Sequence, residues 1–143
     1  MFDNGGNLLL LEAKLRAYIL PRLKESLRNR PIKPSDVQTL ITIHDHPGCS
    51  IKDICFEINS DKGRQTKIVQ DLMGAGLIEN RSFNMRNYSL HLTEAGVAEY
   101  EFVRKELKRI NDSLVVNFTE RQKKDFVKLL DKIEEIADLG YEY

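Results

Sequence analysis

Apolar residues along the chain recur mostly at helical spacing, with one short stretch of strand-like alternation near the middle. Leu8, Leu11, Leu15, Ile19, Leu23 and Leu27 predict a long helix over 8–29, with a kink or break at Pro21. Pro31 and Pro34 stop it. Ser35-Asp-Val-Gln38 has the form of a capping box and predicts a second helix, with Val37, Leu40, Ile41 and Ile43 inward and His46-Pro47-Gly48 at its end. Ser50 caps a short helix over about 51–58, whose apolar side is Ile51, Ile54, Cys55 and Ile58. Asn59-Ser60-Asp61 is a turn. Asp61 then caps a helix over about 62–75, with Ile68, Val69, Leu72 and Met73 inward and Gly74 and Gly76 at its end.

Two short helices joined by a tight turn make a helix-turn-helix. Residues 77–81 read as a strand, 82–87 as a polar loop and 88–92 as a second strand, so a β-hairpin follows directly. That order is a winged helix. Thr93 caps a helix to about residue 114, in which Val97, Tyr100, Val103, Leu107, Ile110 and Leu114 form a coiled-coil-like seam. Thr119-Glu-Arg-Gln122 is another capping box and opens a last helix to about 138, with Phe126, Leu129, Leu130, Ile133 and Ile136 inward. The tail 140–143 is expected to fray. The fold class is therefore mainly α with a small β-hairpin wing. A winged helix-turn-helix lobe (34–93) is flanked by an N-terminal helix (1–33) and C-terminal helices (94–143).

A chain of 143 residues, 41% apolar and 31% charged, suits one folded domain with helical extensions. Its longest purely apolar run, Leu8–Leu11, is far short of the roughly 20 residues of a membrane span. The start, MFDNGGN, lacks the pattern of a secretory signal. Two cysteines give no disulfide framework. A cytoplasmic protein without a membrane partner is expected. With 22 basic and 22 acidic residues the net charge is zero, which alone weighs against a nucleic-acid binder. The distribution reverses that. Residues 1–33 carry +4, 34–60 carry −3, 61–93 carry +2 and 94–143 carry −3. Within 61–93 the cations gather at Lys62, Arg64 and Lys67, and again at Arg81 and Arg86, each group beside a turn.

From about residue 8 to 138 the chain resembles the multiple antibiotic resistance regulator (MarR) family. The resemblance rests on the order of elements, on Gly76-Leu-Ile-Glu entering the hairpin, on Leu92-Thr-Glu-Ala-Gly96 leaving it, and on Phe118-Thr-Glu-Arg-Gln122. The family carries Asp-x-Arg in its wing; here the place holds Asn84-Met-Arg86, and the loop is about two residues shorter than usual. Asn84 offers only a neutral hydrogen bond where the family's Asp offers a charge-assisted one.

The resemblance implies a homodimer, its terminal helices interdigitated, gripping a near-palindromic double-stranded DNA. The helix over 62–75 would enter the major groove with Lys62, Arg64, Gln65, Thr66 and Lys67 on its first turns and Gln70 beyond them. Arg and Lys donate to guanine and Gln pairs with adenine. Ser60 and the helix-start N–H groups suit phosphate, and Gly63 permits close backbone approach. Arg81, Asn84, Arg86 and Asn87 place an arginine-bearing wing at the minor groove, whose negative potential suits it. Arg81 has a carboxylate partner as its alternative role. The competing function is a winged-helix module that binds a protein; an acidic or apolar helix face would favour it, and the 62–67 cations favour DNA.

Other chemistry is thinner. The sequence has no Gly-rich phosphate loop, nucleophile elbow, zinc-protease pair or paired-carboxylate signature, so no enzyme and no cofactor is expected. His44, His46 and Cys49 have donor types suited to zinc, but a surface turn holding two histidines is the simpler account, and no metal is expected. Cys55 reads as core, and Cys49 lies in a loop where only His46 would lower its pKa, so an oxidation sensor is the weaker reading there. Relatives often bind aromatic anions between dimer helices and DNA-binding lobe, which makes Tyr18, Phe56, Tyr88, Tyr100 and Phe102 candidates for lining a small-molecule effector pocket. The sequence names no effector, operator or regulated gene.

Overall fold

The first helix begins under Asn7, whose side-chain oxygen accepts the N–H groups of Leu9 at 3.0 Å and Leu10 at 3.2 Å. The protein is described here from a computed structural model covering residues 7–84 and 86–139. Helix α1 (Leu8–Ser26) runs unbroken through Pro21, where the sequence predicts a kink or break. Pro21 is exposed, so the missing donor costs little on the solvent side. The helix stops short of residue 29, because the chain turns at Leu27 and Asn29 is left-handed, with φ 62°.

The second helix corrects the expected cap. Pro34 opens a 3-10 turn over Pro34–Asp36, so Ser35 already lies inside a turn and cannot act as an extended N-cap. The Asp36 carboxylate does the work instead, accepting the Lys33 N–H at 3.2 Å. Helix α2 (Val37–Asp45) follows. Helix α3 (Ile51–Ile58) carries the expected Ser50 cap, and Asp53 makes it reciprocal. Ser50 N–H donates to Asp53 Oδ2 at 2.9 Å, and Asp53 N–H donates to Ser50 Oγ at 3.1 Å. These bonds to Ser50 hold the Asp53 carboxyl below its ordinary range. Asn59 then turns left-handed, with φ 50°.

Helix α4 (Lys62–Gly74) is capped by Asp61, which accepts the Arg64 N–H at 2.8 Å. Gly76, not Gly74, supplies the left-handed exit, with φ 76°, and Leu77 N–H returns to the Leu72 carbonyl at 3.0 Å. Strands β1 (Ile78–Asn80) and β2 (Leu90–Leu92) pair antiparallel, Ile78 opposite Leu92 and Asn80 opposite Leu90. The turn after α2 joins them: Gly48 N–H donates to the Leu90 carbonyl at 2.7 Å, and Leu90 N–H donates to the Cys49 carbonyl at 2.9 Å.

Helix α5 (Glu94–Leu114) starts at Thr93, whose hydroxyl accepts the Gly96 N–H at 3.1 Å and donates to the Gly76 carbonyl at 2.6 Å. Gly96 lies against β1 so closely that a Cβ there would sit 1.9 Å from the Leu77 carbonyl oxygen.

The chain divides into two compact units, Met1–Ile110 and Asn111–Tyr143. In the first, Leu23, Leu27 and Ile32 share a core with Leu40, Ile43, Ile54, Val69, Leu72, Leu90, Tyr100 and Val103. The middle of the α5 seam is thus spent within its own unit, and only Val97 and Leu114 among its members are exposed. Met73, expected inward, is exposed. The Leu stripe of α1 is split: Leu8 and Leu11 are exposed, while Leu23 and Leu27 are buried.

The second unit holds helix α6 (Glu120–Leu139). Its predicted capping box forms, with Thr119 N–H on Gln122 Oε1 at 2.9 Å and Gln122 N–H on Thr119 Oγ1 at 3.1 Å. Phe118 and Phe126 meet edge to face at 5.6 Å. Phe126, Leu129, Leu130, Ile133 and Ile136, expected to face inward, are all exposed. The tail 140–143, the start of the chain (1–6) and Met85 lie outside the described residues. Among the described residues no helix is long and apolar enough to cross a membrane.

Candidate nucleic-acid interface

The outer face of α4 presents Lys62, Arg64, Lys67 and Gln70 to solvent. Lys67 has one acidic neighbour, Asp71, at 3.4 Å, and both side chains are exposed, so the pair contributes little. Thr66 is half-buried and its hydroxyl donates to the Lys62 carbonyl at 2.7 Å, which ties it to its own helix. Gly63 has a local function: a Cβ there would stand 3.3 Å from Asp61 Oδ1, the oxygen that caps the helix.

Gln65 is a correction. Expected on the DNA-facing surface, it is 1% exposed. Its Oε1 accepts from the Thr39 hydroxyl at 2.7 Å, and its Nε2 donates to Ser60 Oγ at 3.0 Å. Both polar atoms of the amide are engaged inside the protein, away from the solvent-facing surface of α4. Ser60, half-buried, accepts that bond and keeps its own hydroxyl proton free to donate.

In the wing, Arg81 takes the alternative role open to it, since its Nε lies 2.9 Å from Glu79 Oε1. Asn84 does not orient the Arg86 guanidinium; its Oδ1 accepts the Arg86 backbone N–H at 2.9 Å and shapes the loop. Arg86 and Asn87 are exposed. Sequence reasoning missed two residues here. Asn80 closes the hairpin, its Oδ1 accepting the N–H groups of Ser82 at 3.0 Å and Ser89 at 2.9 Å. Phe83 stands at the tip, fully exposed. A Phe inside a polar loop is the signal that could have found it.

The candidate aromatic residues have different surroundings. Tyr100 is buried against His44, their rings stacked 3.6 Å apart. The Arg22 guanidinium covers Tyr18, and that of Arg30 covers Phe102, each 3.6 Å from the ring centre. Arg30 also forks onto Glu99 at 3.0 and 3.1 Å. Phe56 lines an open cavity of about 600 Å³ with His46, Cys49, Lys52 and Asp53.

The two cysteines differ in burial from what their positions in the sequence suggest. Cys49 is buried beside β2, and burial together with the Asp53 charge pushes its thiol up to about 11. It is a poor thiolate, which disfavours an oxidation sensor at this position. Cys55 is only half-buried. His44 is turned onto Tyr100 and bonded to Asp45 at 2.9 Å, and among the described residues no group of three His, Cys, Asp or Glu side chains forms a metal-binding cluster.

This geometry defines a winged helix-turn-helix protein, with α3 and α4 as the helix pair and the β1–β2 hairpin as the wing. No protein-family model matches the chain. It is 27% identical over 112 residues to the HTH-type transcriptional regulator BilQ of Clostridium symbiosum (strain WAL-14163), covering 77% of this chain and 78% of that one. A crystal structure of MarR superposes with a TM-score of 0.85 at 26% identity, covering 96% of this chain and 95% of that one. A MarR-family regulator from Listeria monocytogenes, complexed with a 26mer DNA, superposes with a TM-score of 0.81 at 19% identity, covering 96% and 93%. In fold the chain matches regulators of the MarR family, in agreement with the resemblance read from its sequence.

Proposed function

We propose that this protein is a cytoplasmic homodimeric repressor that reads a near-palindromic operator, with α4 in the major groove and the wing over 81–88 at the minor groove. The observation that carries the reading is the solvent-facing set Lys62, Arg64, Lys67 and Gln70 on α4. Arg64 and Lys67 can donate to guanine or phosphate, and Gln70 rather than Gln65 is the amide available to adenine. Ser60 and the exposed helix start serve phosphate, and Arg86 with Asn84 and Asn87 serves the minor groove. Two copies are required because one α4 covers one half-site, and a second must follow about one helical turn away.

The dimer contact is assigned to the terminal segments. Leu8–Leu11 on α1 are exposed, and so, separately, are Leu129, Leu130, Ile133 and Ile136 on α6. Apolar stripes of this length in water favour association. The acidic excess elsewhere limits non-specific attachment to DNA and confines affinity to a basic face presented twice.

Selection of genomic fragments by the purified protein, followed by binding at several salt concentrations, tests the reading. Affinity should fall with salt with a log–log slope of roughly −0.9 per phosphate neutralised. Arg64→Ala with Lys67→Ala should weaken binding and flatten that slope while the dimer persists. Unchanged operator binding by the double variant would overturn the assignment of α4.

A further inference from the structure

The tip of the wing holds an aromatic ring with no partner among the described residues. Phe83 has a relative exposure of 107%, so its ring packs on none of the described residues. The polar side chains around it are consumed locally. Asn80 Oδ1 clamps the two strands through the Ser82 and Ser89 N–H groups. Ser82 Oγ accepts the Asn84 N–H at 3.1 Å and donates to the Asn84 carbonyl at 3.3 Å. Asn84 Oδ1 holds the Arg86 N–H. A loop shaped by so many bonds presents its outermost ring in a defined place rather than at random. Between Ser82 and Asn87 there is no acidic residue, and the one charged side chain is Arg86.

We propose that Phe83 is an apolar wedge of the wing, which stacks on or between bases from the minor-groove side while Arg86 holds the adjoining backbone. The inference rests on the operator reading above and names a residue that reading does not use. A duplex is the occupant favoured by charge, because the ring is accompanied by a cation and no carboxylate. It is also favoured by continuity, since β1 follows directly on α4. Inserted apolar side chains unstack a base step and kink the duplex. The ring also lengthens a wing whose loop is short, reaching bases that a short polar loop would leave untouched.

The test compares the parent chain, Phe83→Ala, Phe83→Trp and Arg86→Ala on a selected operator fragment carrying 2-aminopurine at the steps facing the wing. Aromatic stacking on a base is worth between about 5-fold and 100-fold in affinity. Phe83→Ala should lose an amount in that range with an unchanged salt slope, because no phosphate contact is removed. Arg86→Ala should flatten the slope by about one. The 2-aminopurine emission change on binding should persist with Phe83→Trp and vanish with Phe83→Ala. Thermal melts of the free variants should coincide with the parent, since the ring packs on none of the described residues. A parent chain that holds the operator while Phe83→Ala matches it in affinity and emission overturns this proposal alone. A parent chain that holds no duplex at low salt overturns the operator reading and this proposal together. Loss of self-association in Phe83→Ala would assign the ring to a protein contact and overturn it as well.

Discussion

Thr39 on α2 and Gln65 on α4 are joined by a hydrogen bond of 2.7 Å between side chains that are both buried. Gln65 passes the connection on to Ser60 in the turn between α3 and α4. The helix assigned to the major groove is thereby fixed in rotation about its own axis by a polar bond through the core.

Gln65→Ala removes the partner of two hydroxyls and should cost about 1–3 kcal/mol, since a buried donor or acceptor left alone loses its desolvation cost in full. Urea titration measures this. On the operator, affinity should fall while the salt slope stays fixed, which separates a positioning residue from a phosphate contact.

Gly96→Ala places a methyl group where the Leu77 carbonyl oxygen stands, 1.9 Å away. Helix α5 and strand β1 would have to part, at a cost of roughly 3 kcal/mol or more. A thermal melt should show a large loss. A variant as stable as the parent would contradict the packing described between them.

Cys49 has its thiol raised from 9.0 to about 11 by burial and by Asp53. The sign follows directly. A raised acid stays neutral in the folded state while the unfolded chain ionises, so this stabilising contribution is complete below pH 9 and is lost as pH rises from 9 to about 11. Alkylation at pH 8 should modify Cys55 first and Cys49 only as the protein opens, as peptide mass mapping would show. Rapid modification of Cys49 in the folded chain would contradict its burial.

Leu129→Glu with Ile133→Glu places charges in the exposed stripe of α6. Sedimentation should move from dimer to monomer, with the helical content of unit 1 retained. Operator affinity should drop by more than tenfold, because two half-sites would no longer be bound as one event. A variant that sediments as the parent does would remove α6 from the dimer contact.

Local chemistry was legible in the sequence and long-range partnership was not. Ser50 with Asp53, Asp61 with Arg64 and Thr119 with Gln122 all form where their spacing predicts, because each bond closes within three residues. Ser35 failed for an equally local reason, the turn that Pro34 begins one position earlier. Gln65 was assigned by residue type, as an amide that can read adenine. Its position told otherwise, since 65, 68, 69 and 72 lie on one stripe and the other three are core. Its partner Thr39 lies too far along the chain for spacing to reveal. Cys49 was read as a loop thiol because the strand that buries it comes much later in the chain.

The two hydrogen bonds that tie Gly48 and Cys49 to Leu90 make the exit of α2 and the second wing strand a single sheet edge. Amide protons of that edge should exchange with solvent as one cooperative unit together with β1. The base of the hairpin then cannot swing on its own to meet a duplex. Whatever shape the minor groove offers, the base of this wing meets it as part of the lobe, so a duplex would be approached by helix pair and hairpin base as one body.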